Sequence, residues 1–193
     1  MVRWHGHVRA CVKARPCALP PAIRQCSPNG GSGRFRRVPV RAARRSVIYF
    51  DAAYIAKCYL NEPGADRVRE VAYGSDGLAS CELARLEFAS ILKRHARERH
   101  VTRREMTAIL KEFEDDEKNG VWQWFAVTSE LLDKARKAVL DIPSTVFVRS
   151  GDALHLACAE EHGFEKVYTN DRHMLEAARY FHVTGVNVLT DNG

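Results

Sequence analysis

The chain has 193 residues, 46% of them hydrophobic, which suits one domain with a sizeable core and excludes a disordered or fibrous class. No apolar run approaches the ~20 residues of a membrane span, and no signal-type h-region is present, so a protein of the reducing cytoplasm is expected. The net charge of +6 is unevenly spread: residues 1–46 carry 11 Lys/Arg and no acid, leaving 19 basic against 24 acidic residues beyond, a net of −5.

Residues 1–46 show neither helical nor strand periodicity and are broken by Pro, Gly and Ser, so a disordered basic extension is expected. Three readings stay open: an arm that grips RNA phosphates, an organelle transit peptide, or a start-site artefact with translation beginning near Val47, which is the favoured one. Cys11, Cys17 and Cys26 lie there and Cys58, Cys81 and Cys158 in the domain; no CxxC pair occurs, which argues against a usual zinc site. The domain cysteines sit among apolar neighbours and are expected to be buried.

From residue 47 the pattern changes. "VIYF" predicts a strand ending at Asp51, "AAYIAKCYL" a helix closed by "NEPG", and "ADRVREVAY" a second helix stopped by Gly74. "GLAS" is predicted to be extended, and "CELARLEFASILKRHARER" a long helix with an apolar face at Leu83, Leu86, Phe88, Ile91 and Leu92. Thr102 and Glu105 predict a capping box for the next helix. "VWQWFAVT" reads as a strand and "SELLDKARKAVL" as a helix capped by Ser129. "GDALHLACAEEHG" is the next helix, "KVYTN" a strand, "RHMLEAARYF" a helix and "NVLT" a last strand.

Strands alternating with helices predict an α/β fold, a mostly parallel central sheet in a three-layer α/β/α arrangement. Such sheets bind ligands beyond the carboxyl ends of their strands. Asp51 ends one strand, Asp171 lies just past another, and Asp152 sits in a first helical turn, so all three are expected on one rim. Two unit charges about 4 Å apart cost roughly 4 kcal/mol at an effective dielectric of about 20. Such acids must therefore take up protons or share a cation, and carboxylates without matching His or Cys favour Mg²⁺ or Mn²⁺. Each acid also has a plain structural role available: Asp51 and Asp171 as helix caps, Asp152 as a dipole residue, Glu87 as a solvated helix residue. His155, three after Asp152, is read mainly as a packing or hydrogen-bonding residue on the same helix face.

The segments "VIYFDAAYIAKCYLNEPG", "LARLEFASILKRH", "SGDALHLACAEEHGF" and "VYTNDRHMLEAA" together resemble a PIN domain, most closely the VapC-type toxins of type II toxin–antitoxin pairs, from about Val47 to Thr190 within a domain expected over residues 47–193. The resemblance implies a PIN-like nuclease domain whose acids bind Mg²⁺ or Mn²⁺ and cleave RNA phosphodiesters, leaving a 3′-hydroxyl and a 5′-phosphate. It places Asp51, Glu87, Asp152 and Asp171 in the catalytic and metal set, with Thr169 as the hydroxyl residue two before the last acid. It further implies an RNA substrate, a VapB-like antitoxin partner and a homodimer. Ala52 and Ala53 stand where the family often has Thr-Ser, so a supporting hydroxyl is expected to be missing. Glu82 competes with Glu87 but lies about 140° around the helix from it, and the context "LARLEF" favours Glu87. The basic cluster Lys93, Arg94 and Arg97 follows Glu87 and is the candidate RNA contact. The expected activity is thus a metal-dependent endoribonuclease; the alternative is a weakly active or inactive PIN-fold protein that binds RNA or a partner. A phosphatase of the haloacid dehalogenase kind needs a second Asp two after the strand-end one, where this chain has Ala53.

Overall fold

A computed structural model describes residues 46–190 of the chain. The basic extension expected over 1–46 therefore lies, Ser46 apart, outside the described residues, as do its three cysteines. The chain order is β1 (Val47–Phe50), α1 (Ala52–Tyr59), α2 (Ala65–Tyr73), β2 (Gly77–Cys81), α3 (Leu83–Arg97), α4 (Arg103–Lys118), β3 (Trp122–Phe125), α5 (Ser129–Asp141), α6 (Ser150–Glu161), β4 (Lys166–Tyr168), α7 (Arg172–Ala177), a 3-10 turn (Ala178–Phe181) and β5 (Thr184–Val186).

The strands pair in the order β3-β2-β1-β4-β5, all parallel. Successive strand residues point to opposite faces, and the two cores follow that alternation. Tyr49, Ala79, Cys81 and Val167 pack on the side covered by α5, α6 and α7. Phe50, Leu78 and Trp122 pack on the other side, against α1, α3 and α4. Both faces are thus buried, which explains the short, nearly all-apolar strands. Beyond β3 the chain crosses back to lay β4 on the free edge of β1, so the strand order reverses between β1 and β4. A crevice at such a reversal is where open α/β sheets bind ligands.

Local signals account for the element boundaries. The Thr102–Glu105 capping box closes as predicted, with Glu105 N donating to Thr102 Oγ1 at 3.2 Å and Thr102 N donating to Glu105 Oε2 at 2.7 Å. Several boundaries differ from the sequence reading. The cap of α5 is Thr128, whose side chain accepts from Leu131 N, because Ser129 already has helical geometry. Cys81 belongs to β2, and α3 begins at Leu83. The last strand is Thr184–Val186 rather than residues 187–190: Asn187 Oδ1 accepts from Leu189 N and folds that segment into a turn. The helix expected over 172–181 tightens into the 3-10 turn after Ala177, ending at His182 with φ 56°. Of the domain cysteines, Cys81 and Cys158 are buried, while Cys58 is half-buried. Among the described residues no helix is long and apolar enough to cross a membrane.

Candidate active site

Asp51 leaves the C-terminal end of β1 and caps α1, its Oδ1 accepting from Tyr54 N at 2.8 Å. Its Oδ2 accepts from Thr169 Oγ1 at 2.5 Å, across the β1–β4 junction. Asp51 N donates to Tyr168 O at 3.1 Å, so the sheet itself fixes the carboxylate between the two strands. The side chain is only 6% exposed. Burial pushes its pKa up to about 6, against the pull of the Thr169 and Tyr54 hydrogen bonds. Thr169, 118 residues away, thus gives Asp51 a hydroxyl donor, whereas positions 52 and 53 are alanines.

Thr169 serves two acids. Its Oγ1 also accepts from Asp171 N at 2.9 Å, which sets the turn that brings Asp171 to the start of α7. Asp171 Oδ1 caps that helix by accepting from His173 N and Met174 N. Its Oδ2 accepts from Arg149 Nη1 at 2.8 Å. Burial works against its charge, yet the Met174 and His173 amides and the Arg149 guanidinium outweigh it and hold Asp171 below the usual carboxylate range.

Asp152 lies in the first turn of α6. Burial, then the charge of Asp171, raises its pKa, and its Oδ2 is buried with no hydrogen-bond partner. Glu87 comes from α3 and lies against the same turn: a Cβ on Gly151 would sit 3.0 Å from Glu87 Oε1. A side chain at position 151 would require the Glu87 carboxylate to give way by a few tenths of an ångström. Glu87 Oε2 is 2.8 Å from His155 Nε2. Glu82, by contrast, is exposed at the entrance of α3 and makes no side-chain cap bond.

His155 is the residue whose part the sequence understated. It is 3% exposed, and its Nδ1 lies 3.1 Å from Tyr49 Oη. Tyr49 Oη also accepts from Cys81 N at 3.0 Å, so the ring is tied through the phenol to β2. Burial lowers the His155 pKa, but the bond and charge of Glu87, with the charge of Asp51, overcome it and raise the pKa overall. No periodicity or motif in the sequence marks Arg149.

The four acids divide by charge compensation. Glu87 has His155 and Asp171 has Arg149, whereas Asp51 and Asp152 carry raised pKa values and Asp152 an orphaned oxygen. Among the described residues no group of three or more His, Cys, Asp or Glu side chains is placed to hold a metal ion as the side chains stand. The chemistry of the donors nonetheless fits one. The set is all oxygen, and the two undercompensated acids want the positive charge a hard divalent cation brings. Lys93, Arg94 and Arg97 are exposed on α3. At 1.5 Å per residue they stand roughly 9–15 Å along the helix from Glu87.

No curated protein sequence matches this chain. Among solved structures, the fold is similar to that of Mycobacterium tuberculosis VapC20, a toxin that cleaves the sarcin-ricin loop. Identity there is 16% and the TM-score 0.55, covering 71% of this chain and 98% of that one. It is also similar to VapBC2 of Rickettsia felis, solved bound to a DNA fragment from its promoter, at 10% identity and a TM-score of 0.53, covering 73% of this chain and 98% of that one. At such identities the likeness is one of fold. The sequence itself matches the PIN domain family over residues 48–180, a stretch that runs from β1 to the 3-10 turn and contains all four acids. The chain belongs to the PIN domain family.

Proposed function

We propose that this chain is an endoribonuclease dependent on Mg²⁺ or Mn²⁺, the toxin of a VapB/VapC-type toxin–antitoxin pair, which hydrolyses RNA phosphodiester bonds in the cytoplasm. The observation that carries the reading is Asp152. A carboxylate oxygen buried without a partner, beside Asp171 and at the rim that also holds Asp51, is costly unless a cation offsets it. Membership of a nuclease family supports the same reading.

Asp51 and Asp152 would hold the ion, with Glu87 and Asp171 completing or orienting the site. The chemistry a divalent cation supplies there is charge for the phosphoryl oxygens and a water acidic enough to attack phosphorus. The chain's own groups do the positioning. Thr169 and the Tyr54 amide fix the two oxygens of Asp51. His155 turns Glu87 toward α6, and Arg149 with the α7 amides holds Asp171 ionised. Lys93, Arg94 and Arg97 would receive phosphates of a strand lying along α3. The similarity to VapBC2 supports a VapB-like antitoxin partner. A homodimer is proposed with it, from the resemblance to VapC-type toxins.

The test is cleavage of single-stranded RNA by the purified chain with Mn²⁺, beside Asp51→Asn and Asp152→Asn. Cutting by the parent and at least 100-fold less by both variants is expected. An intact RNA, or equal cutting by parent and variants, would favour a PIN-fold protein that binds RNA or a partner without cleaving.

A further inference from the structure

The segment before α6 alternates strictly. Val146 and Val148 pack into the core, while Phe147 and Arg149 face outward. In extended backbone, residues two apart share a side, so the phenyl ring and the guanidinium stand together, three residues or fewer from the start of the helix that carries Asp152. Phe147 is 55% exposed. Its ring is nevertheless held: the His173 imidazole meets it edge-on at 4.7 Å between centroids and 72° between planes. Arg149 Cζ lies 5.9 Å from the ring centroid. Arg149 also reaches Asp171 Oδ2, and His173 N donates to Asp171 Oδ1, so both neighbours of the ring are tied to an acid of the site.

An exposed phenyl anchored this way presents a π surface beside the groups that hold Asp171. Aromatic rings beside basic groups are how proteins hold unpaired bases, since every base has a stackable face and Arg satisfies the flanking phosphate. Asp171 engages one nitrogen of the guanidinium fork, which has five N–H donors in all. We propose that Phe147 is a stacking platform for an unpaired nucleobase of a single-stranded RNA, with Arg149 holding an adjacent phosphate. This rests on the ribonuclease reading and gives it a substrate subsite: an unpaired nucleotide next to the phosphate that enters the carboxylate rim.

The experiment is fluorescence anisotropy with a labelled single-stranded adenosine hexanucleotide, in EDTA so that nothing is cut, using the full chain. Phe147→Ala is expected to weaken binding by about 5- to 150-fold, the usual loss for one stacked base. Phe147→Trp is expected to bind at least as tightly as the parent. A strand with abasic positions should bind parent and Phe147→Ala alike. The inference is overturned if the parent does not bind the hexanucleotide, or if Phe147→Ala binds like the parent, as it would were the ring a contact for a protein partner only. It is equally overturned if Phe147→Trp is as weak as Phe147→Ala, or if the abasic strand loses as much as the intact one. Failure of the ribonuclease reading looks different: the hexanucleotide binds with these dependences on Phe147, yet Mn²⁺ produces no cleavage.

Discussion

His155 Nε2 lies 2.8 Å from Glu87 Oε2, and through Nδ1 and Tyr49 the same ring is tied to the backbone of β2. The orientation of a solvent-reaching acid on α3 is therefore set by a ring on α6 that is itself out of water. Removing the ring takes Nδ1 away from the buried Tyr49 hydroxyl, which keeps the Cys81 amide, and leaves a cavity between α6 and β1. His155→Ala should lower stability by about 2–4 kcal/mol, read from urea unfolding. His155→Gln, which keeps a donor, should fold closer to the parent yet bind Mn²⁺ about 10- to 100-fold more weakly, the usual cost of disturbing a ligand's supporting bond. Unchanged Mn²⁺ affinity by calorimetry in His155→Gln would show that the ring only packs.

Asp51 carries a pH dependence whose sign is fixed by burial. Its pKa rises from 3.8 to about 6 in the fold. The native state therefore binds this proton more tightly than the unfolded chain does. Its contribution to stability is complete below pH 4 and is lost as pH rises through 6. Without metal, Asp51→Asn should then be more stable than the parent at pH 7.5 by about 1–3 kcal/mol, and the difference should close toward pH 4. A difference that stays constant between pH 4.5 and 7.5 would contradict this account of Asp51.

Cation binding can be read without any RNA. At 100 times its dissociation constant, Mn²⁺ should stabilise the parent by about 2.7 kcal/mol. For a chain of this length that is a rise in Tm of about 5–10 °C. Asp152→Asn should lose most of the rise, because its Oδ2 is the buried oxygen with no other partner. An equal rise in parent and Asp152→Asn would place the ion elsewhere.

Asp171 serves as both cap and site acid, and two substitutions separate the parts. Asn is as good a cap as Asp. Asp171→Asn should therefore stay within about 1 kcal/mol of the parent, losing chiefly a half-exposed ion pair to Arg149. Asp171→Ala should cost about 1 kcal/mol more through the lost cap. Both should lose Mn²⁺-dependent cleavage. Full cleavage by Asp171→Asn would reduce the residue to a cap.

Much of this arrangement could be read from local pattern. "VIYF" before Asp51 and "KVY" before "TND" are strands because β-branched and aromatic residues cluster there between turn residues. The capping box at Thr102 needs only two residues three apart. Where the structure departs from that pattern, single side-chain bonds decide: Asn187 Oδ1 accepts from Leu189 N and turns the tail away from a strand, and Thr128 rather than Ser129 meets the free amide of Leu131.

Periodicity and capping act over a few residues, so the alternation of strands and helices and the placing of Asp51, Asp152 and Asp171 at element ends are legible in residue order alone. Which acids are compensated depends instead on contacts between distant parts of the chain. Strand order laid β4 beside β1, which joined Thr169 to Asp51 over 118 residues, and it set His155 on Tyr49 over 106. Those pairings depend on the order in which strands assemble, and no local propensity encodes that order.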